Sequence, residues 1–427
     1  MIITRGQGIF VYDEQGKEYL EGMAGLWCTA LGFGEEELVK AATDQMRRLP
    51  YYHQFGSKAH DVGIRLADRL KAMAPVPMSK VFFANSGSEA NDTVVKLVWY
   101  FNNALERPKK KKIIARMQAY HGVTIASASM TGLPLNHRDF DLPITGILHT
   151  DSPHYYRFAQ PGESEEAFST RLAKSLDDLI QREGPDTVAA FIAEPVMGAG
   201  GVIVPPATYF TKIQAVLKKH DVLLVADEVI CGFHRTGNTW GSQTYDLKPD
   251  LLVCAKQLSS GYLPIAAVMV SENFYQTLTA QSRKIGVFAH GFTYSGHPVA
   301  AAVAERTLQL YEERKIGAHV NRVAPRLQQG LRALADHPLV GNVRGVGLIG
   351  ALELISDKAT RKPFDPAQKV GFYAMERCQE HGLIVRALVD SLAVCPPLII
   401  TEPQIDELLR RLKAGLDDTL AWVRKGS

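Results

Sequence analysis

From Lys80 onward, short apolar runs alternate with stretches whose apolar residues recur every three or four positions. The runs "KVFFA" (80–84), "KKIIAR" (111–116), "TVAAFIA" (187–193), "DVLLVA" (221–226), "DLLVCA" (250–255) and "IAAVMV" (265–270) have the length and near-continuous hydrophobicity of strands buried on both faces. Amphipathic segments such as 208–220 lie between some of them. The pattern predicts an α/β fold in which a mostly parallel sheet is covered by helices.

The chain ends read differently. "GIFVYDEQGKEYLEG" predicts a hairpin around Gln15 and Gly16, and 35–49 has a helical pattern. Beyond "GHPVAAAVAERTLQLYEERK" a long helical stretch leads into α+β texture and a final helix. There Thr401 and Gln404 make a capping box, and Ile405, Leu408, Leu409, Leu412, Leu416 and Leu420 form one apolar stripe. The expected organisation is a large domain over residues 49–300 and a smaller α+β domain assembled from both ends, 1–48 and 301–427.

Composition narrows the function classes. At 427 residues and 47.0 kDa the chain exceeds the size of one simple core. Its 46% hydrophobic and 22% charged content is that of a globular protein. A formal charge of +3 does not argue for a nucleic-acid partner. The basic run "RPKKKKII" from Arg107 is expected to be a solvated loop. Five scattered cysteines, never spaced as C-x-x-C, fit a reducing compartment and argue against structural zinc, so no metal is expected. The N-terminus lacks a signal-peptide core, and no apolar run approaches the roughly 18 residues of a membrane helix. A soluble cytoplasmic protein, without membrane partner, is the expectation.

In open α/β sheets ligands bind beyond the carboxyl ends of the strands, so the residues that follow each apolar run are the informative ones. Five runs end in reactive side chains: Asn85-Ser86-Gly87-Ser88-Glu89, Tyr120-His121-Gly122, Glu194-Pro195, Asp227-Glu228-Val229 and Lys256. Ser86 and Glu89 form a capping-box pattern that leaves the Gly87 and Ser88 amides at a helix start, a natural phosphate site. An ordinary capped helix is the plain alternative. Asp227 follows a run of apolar residues, so its carboxylate needs donors or a cation, and a structural ion pair would suffice. Tyr120 could be core packing or a stacking platform. Lys256 could simply extend its stem into water.

One ligand uses all four features at once. Pyridoxal 5′-phosphate needs a phosphate cradle, an anion facing its pyridinium nitrogen, a face to stack on and a lysine amine to condense with its aldehyde. The ordered segments "FFANSGSEANDTVVK", "AYHG", "AEPVMGAGG", "VADEVICGFHRTG", "AKQLSSGYLPIAAV" and "HGFTYSGHP" resemble the class III aminotransferases of PLP fold type I, particularly the amine:pyruvate or ω-amino acid:pyruvate group. The resemblance runs from "GLWC" to "CPPL".

It implies that Lys256 binds the cofactor and shuttles a proton, that Asp227 keeps the ring nitrogen protonated, and that Tyr120 and Val229 pack on opposite ring faces. Gly87 and Ser88 would cradle the phosphate, with Thr293 supplied by a neighbouring subunit of a homodimer or larger oligomer. Glu194 is expected near the cofactor. Trp27 and Phe55 resemble the aromatic wall of the substrate pocket, Ala199 a size-setting position, and Arg386 a mobile arginine that meets the α-keto acid carboxylate and withdraws for the amine donor.

Four departures qualify the resemblance. Where ornithine- and γ-aminobutyrate-type members carry an arginine before "P-x-L", this chain has Cys395, which turns the expectation toward the amine:pyruvate group. His234 stands in place of a glycine in "GFHRTG", where a positive φ is expected, and Ala266 also replaces a frequent glycine. The chain starts close to "ITRGQGIFVYD", where many relatives carry a segment that folds over the site, so substrate closure is expected to differ. An aminomutase or racemase on the same fold, and a non-catalytic phosphate-binding α/β protein, are the competing readings.

Overall fold

The computed structural model describes residues 1–425. All six predicted strands form and lie in one seven-stranded sheet, in the order Lys80–Ala84, Ala266–Val270, Leu251–Cys254, Leu223–Asp227, Val188–Ala193, Lys112–Arg116, Ile147–Thr150. Ala266–Val270 alone runs against its neighbours, pairing Ala266 with Ala84 and Val270 with Leu251. The other strands therefore deliver their carboxyl ends to one edge. The seventh strand, Ile147–Thr150, has the sequence ILHT. It was not predicted because this edge position needs no continuous apolar run.

Helices Gly87–Ala104 and Glu272–Ile285 cover one face through Val94, Val98, Phe101, Val268 and Phe274, with the Phe101 and Phe274 rings stacked 4.3 Å apart. Glu165–Glu183 and Tyr209–Lys219 cover the other through Phe168, Leu176, Phe191 and Ile213. The helix predicted over 208–220 is Tyr209–Lys219, flanked by Thr208 and His220. That predicted over 35–49 is Glu36–Arg48, with the Glu35 side chain accepting from the Glu37 amide.

At the chain ends, the predicted hairpin forms between Phe10–Asp13 and Glu18–Glu21, turning at Gly16 with φ +81°. Glu18–Glu21 then pairs with Leu383–Ile384, which joins the first residues to the last portion of the chain. Four antiparallel strands, Val340–Val346, Ile349–Leu354, Ser391–Val394 and Arg386–Leu388, make a second sheet. In the final helix, Glu402–Lys425, Ile405, Leu408, Leu412 and Leu416 are buried, and Leu409 and Leu420 pack against the same core. The Thr401 amide donates to Gln404 Oε1 at 2.9 Å, the reciprocal half of the predicted capping box. Among the described residues no helix is long and apolar enough to cross a membrane.

The basic run corrects the expectation of a solvated loop. Lys110 is buried and donates to the His220 carbonyl at 3.2 Å, Lys111 donates to the Trp99 carbonyl at 2.8 Å, and Lys112 donates to the Glu183 carbonyl at 2.8 Å and its carboxylate at 2.9 Å. Each ammonium meets carbonyl oxygen at or near the end of a different helix, where the backbone dipole is negative. Three consecutive lysines thus bind the helix that precedes them and two helices that are remote in sequence. Lys112→Met, which keeps the stem and removes the charge, is expected to cost about 1 kcal/mol, read as a lower urea midpoint at unchanged slope.

A second polar junction ties the C-terminal sheet to the large one. Glu353 is buried and ion-paired with both Arg157 and Arg344. Arg344 also donates to the Gly201 carbonyl at 2.8 Å and to Ser391 Oγ at 2.9 Å. Burial would raise the Glu353 carboxyl, but the His154 hydrogen bond and the Arg344 and Arg157 charges hold it at about 2. A depressed carboxyl stabilises the fold above its unfolded pKa of about 4.3, and that contribution disappears as pH falls toward the folded value. Glu353→Gln should be less stable than the parent at neutral pH, and the gap should close between about pH 4 and 2 in acid-unfolding curves.

Candidate active site

The helix Gly87–Ala104 begins directly beyond the strand Lys80–Ala84. Ser86 is extended, and its hydroxyl accepts from the Glu89 amide at 3.1 Å. Glu89 reaches back to the Asn85 amide at 2.8 Å, so the predicted box closes one residue earlier than expected. The Gly87 and Ser88 amides stay outside these capping bonds. Gly87 packs closely: a Cβ there would lie 3.3 Å from both Val229 methyls. Gly122, at φ +136°, brings the next strand-end loop against this helix start, where a Cβ would meet Ser88 Oγ at 2.6 Å.

Asp227 closes the strand Leu223–Asp227 and is only 3% exposed. Its Oδ2 accepts from His121 Nδ1 at 2.8 Å and from Asn91 Nδ2 at 2.9 Å, while Oδ1 accepts from the Val229 amide at 3.1 Å. Burial opposes the charge, but the His121 donor and charge, with Asn91 and Val229, outweigh it and hold the carboxyl below the ordinary carboxylate range. Asn91 also donates to the His121 carbonyl at 2.7 Å, which locks both partners. Sequence reasoning assigned no role to Asn91 or His121. Both stood in the quoted strand-end segments, one turn into the helix and beside Tyr120.

Lys256 follows the strand Leu251–Cys254 with φ +47°. Among the described residues it makes no ion pair, with Asp227 or with any other carboxylate. Asp227 instead pairs with His121. The structural Lys–Asp pair weighed from the sequence is therefore not formed. Tyr120 donates its amide to Glu194 Oε1 at 3.0 Å, and Glu194 Oε2 accepts from the Gly198 amide at 3.0 Å. Glu194 is buried, which pushes its carboxyl up, and it fastens the Tyr120 loop to the turn carrying Ala199.

Lys256, Asp227, Tyr120, Gly87, Ser88, Glu194 and Val229 all line one cavity of about 340 Å³. The remaining expected residues do not line it. Trp27 is 2% exposed in an apolar cluster with Met23, Ile230 and Cys395, touching the cavity's surroundings through Ile230. Arg386 opens the strand Arg386–Leu388, with no hydrogen bond or ion pair from its guanidinium among the described residues. It stands near enough to Tyr120 for its charge to oppose the burial that raises the Tyr120 hydroxyl. Phe55 is 44% exposed and its ring lies against Gly291. Thr293 is exposed too, its carbonyl accepting from the Tyr51 hydroxyl at 2.9 Å.

His234 adopts φ +74° after Phe233 at +60°, as the missing glycine predicted. Its ring packs against Gly317 and edge-on to Tyr311, 6.2 Å away.

These features fit pyridoxal 5′-phosphate on chemical grounds. Free helix-start amides suit a dianion, the Asp227 carboxylate suits a protonated ring nitrogen, and an unpaired amine suits an aldehyde. Asn91 Oδ1 and His121 Nε2 are buried without partners, which leaves polar capacity around Asp227.

A model of the class-III aminotransferases matches residues 1–416. The chain is 54% identical over 420 residues to Gamma aminobutyrate transaminase 3, chloroplastic, of Solanum lycopersicum, covering 98% of this chain and 81% of that protein. Among solved structures, the omega transaminase from Pseudomonas jessenii in complex with PMP is 55% identical with a TM-score of 0.98, covering 100% of this chain and 94% of that one. A thermostable omega transaminase variant, substituted at a tryptophan, a phenylalanine and an arginine and engineered for asymmetric synthesis of enantiopure bulky amines, is 55% identical with a TM-score of 0.98, covering 99% of this chain and 94% of that one. The match over almost its whole length means that this chain belongs to the class-III aminotransferases, PLP-dependent transaminases of fold type I.

Proposed function

We propose that this transaminase moves the amino group of an ω-amino acid, a diamine or another primary amine to an α-keto acid, with pyruvate as acceptor and alanine as product. The observation that carries this reading is the shared cavity: an unpaired Lys256 amine and a fixed Asp227 carboxylate lie over a helix start with free amides. γ-Aminobutyrate ranks first among donors because the tomato relative bears its name at 54% identity. The cysteine at 395 argued against that type, but one position weighs less than a match over 98% of the chain.

When bound, pyridoxal 5′-phosphate supplies the electron sink and the aldehyde carbon that carries the amino group between half-reactions. Lys256 Nζ would hold that carbon, and its amine would move a proton between the substrate carbon and the cofactor. Asp227 holds the proton on the ring nitrogen. Tyr120 and Val229 enclose the ring, and the Gly87 and Ser88 amides hold the phosphate. Glu194 orders the Tyr120 loop.

Trp27, Phe55, Ala199 and Arg386 shape the substrate side. The engineered neighbour's tryptophan, phenylalanine and arginine follow one another at the same separations as Trp27, Phe55 and Arg386 here. Phe55 and Thr293, exposed and away from their own cavity, are proposed to complete the site of a second copy, which makes the active unit a homodimer or larger homo-oligomer. Residues 1–48 and 301–427 are proposed to act as one small domain against 49–300. The five free thiols favour a cytoplasmic setting, although the tomato relative is named chloroplastic.

Purified protein given pyridoxal 5′-phosphate should show a visible absorption band that γ-aminobutyrate or alanine bleaches and that Lys256→Ala lacks. A Lys256→Ala protein with the same band would sink the assignment. For Arg386→Ala, loss of one charge-assisted contact of about 1.5–3 kcal/mol should raise KM for pyruvate by roughly ten- to hundredfold. KM for an uncharged arylalkyl amine should stay nearly constant, and equal losses for both substrates would remove the proposed switching role.

A further inference from the structure

Lys256 sits in a backbone conformation that an L-residue keeps only under constraint. Its φ is +47°, Ser260 follows at +51° and Gly261 at +75°. The constraint comes from the residue next to the lysine.

Gln257 is wholly buried and its carboxamide is fully used. Oε1 accepts from Arg235 Nη2 at 3.1 Å, and Nε2 donates to the Ile230 carbonyl at 2.9 Å and the Gly232 carbonyl at 2.8 Å. Its main-chain carbonyl accepts from the Tyr311 hydroxyl at 2.6 Å and from the Ser260 amide at 3.2 Å. Arg235, also wholly buried, donates its other terminal nitrogen to the Leu348 carbonyl at 2.9 Å and the Pro396 carbonyl at 2.6 Å. Three separate parts of the chain thus converge on the peptide that follows Lys256. They are the turn just beyond Asp227, the helix Pro298–Glu313 through Tyr311, and the C-terminal loops through Arg235.

We propose that Gln257, clamped by Arg235 and Tyr311, is a positioning residue that aims the Lys256 amine into the cavity and fixes its placement relative to Asp227. The second half follows from what the carboxamide holds. Ile230 and Gly232 lie three and five residues beyond Asp227 on the same turn, so one side chain references both reacting groups to a single frame. A residue needed only for packing would not spend a carboxamide on two loop carbonyls and an arginine, since an apolar side chain of equal volume fills space without burying polar atoms. Phe233 and His234, both at positive φ, directly precede Arg235. This inference rests on Lys256 being the cofactor-binding lysine.

The test is a pH titration of the visible band in holoenzyme reconstituted with pyridoxal 5′-phosphate, with kcat, KM and thermal midpoint measured alongside. The titratable and charged groups around Lys256 and its support are Cys28, Cys395 and Arg235, with Asp227, Glu194, Tyr120 and His121 lining the same cavity, and all remain in both variants. Gln257→Leu should displace the titration midpoint by about one pH unit, a tenfold change in the protonation equilibrium. It should lower kcat at least about tenfold while KM for the amine changes much less. Tyr311→Phe removes one hydroxyl without changing the packing and should shift the band in the same direction by a smaller amount. A lower thermal midpoint with an unshifted band and normal kcat would make Gln257 a merely structural residue and overturn the proposal. If Gln257→Leu does not fold, Tyr311→Phe decides alone, and a wild-type titration from it is equally fatal. Failure of the broader reading looks different: wild-type protein would then show no band that Lys256→Ala abolishes, and both conclusions would fall.

Discussion

The carboxylate of Asp227 is the constraint around which the site is arranged. It ends a fully buried strand, where an ionised acid without donors would cost several kcal/mol. His121 and Asn91 meet that cost from two other elements, the loop after Lys112–Arg116 and the first turns of Gly87–Ala104. Satisfying one charge therefore fixes three strand ends relative to one another. Those same ends carry Tyr120 and the helix-start amides of Gly87 and Ser88. A carboxylate held in this way remains an anion in a dry setting, which is what a pyridinium nitrogen requires of its partner.

Sheet topology makes the convergence possible. Because only Ala266–Val270 is reversed, the residues after Lys80–Ala84, Lys112–Arg116, Val188–Ala193, Leu223–Asp227 and Leu251–Cys254 emerge on one edge. This much was legible in the chain, since strands buried on both faces must be almost continuously apolar and the first polar residue marks their exit. Ile147–Thr150 escaped because it lies at the edge of the sheet and carries a histidine and a threonine. The lysines after Arg107 misled for another reason. Their acceptors, at Trp99, Glu183 and His220, belong to helices that only the folded chain brings together.

The site divides along a similar line. Lys256, Asp227, Glu194 and Tyr120 could be found because each follows an apolar run. Asn91 and His121 could not be assigned, since their role exists only with respect to a third residue that is remote in sequence. Gln257 is hidden more deeply, as its neighbours in space come from three distant segments. Trp27, Phe55, Ala199 and Thr293 follow no such run, and Arg386 follows only the short run 383–385; all five were reached through resemblance alone. Trp27 in particular is packed like any core aromatic, and nothing in apolar periodicity separates it from one.

The electrostatics around the cavity bear on the proposal that one site serves two unlike substrates. Asp227 is paired with His121, and burial pushes the Glu194 carboxyl up. Among the described residues the guanidinium of Arg386 has no carboxylate partner, and its charge bears on Tyr120. An α-keto acid entering such a pocket gains a charge-assisted contact that an uncharged amine neither needs nor repels. On the roles proposed above, discrimination between the half-reactions would rest on Arg386, and the proton transfers common to both on Lys256. The two tasks can change independently, because the arginine stands on a hairpin of the C-terminal sheet while the lysine is anchored beneath the large one.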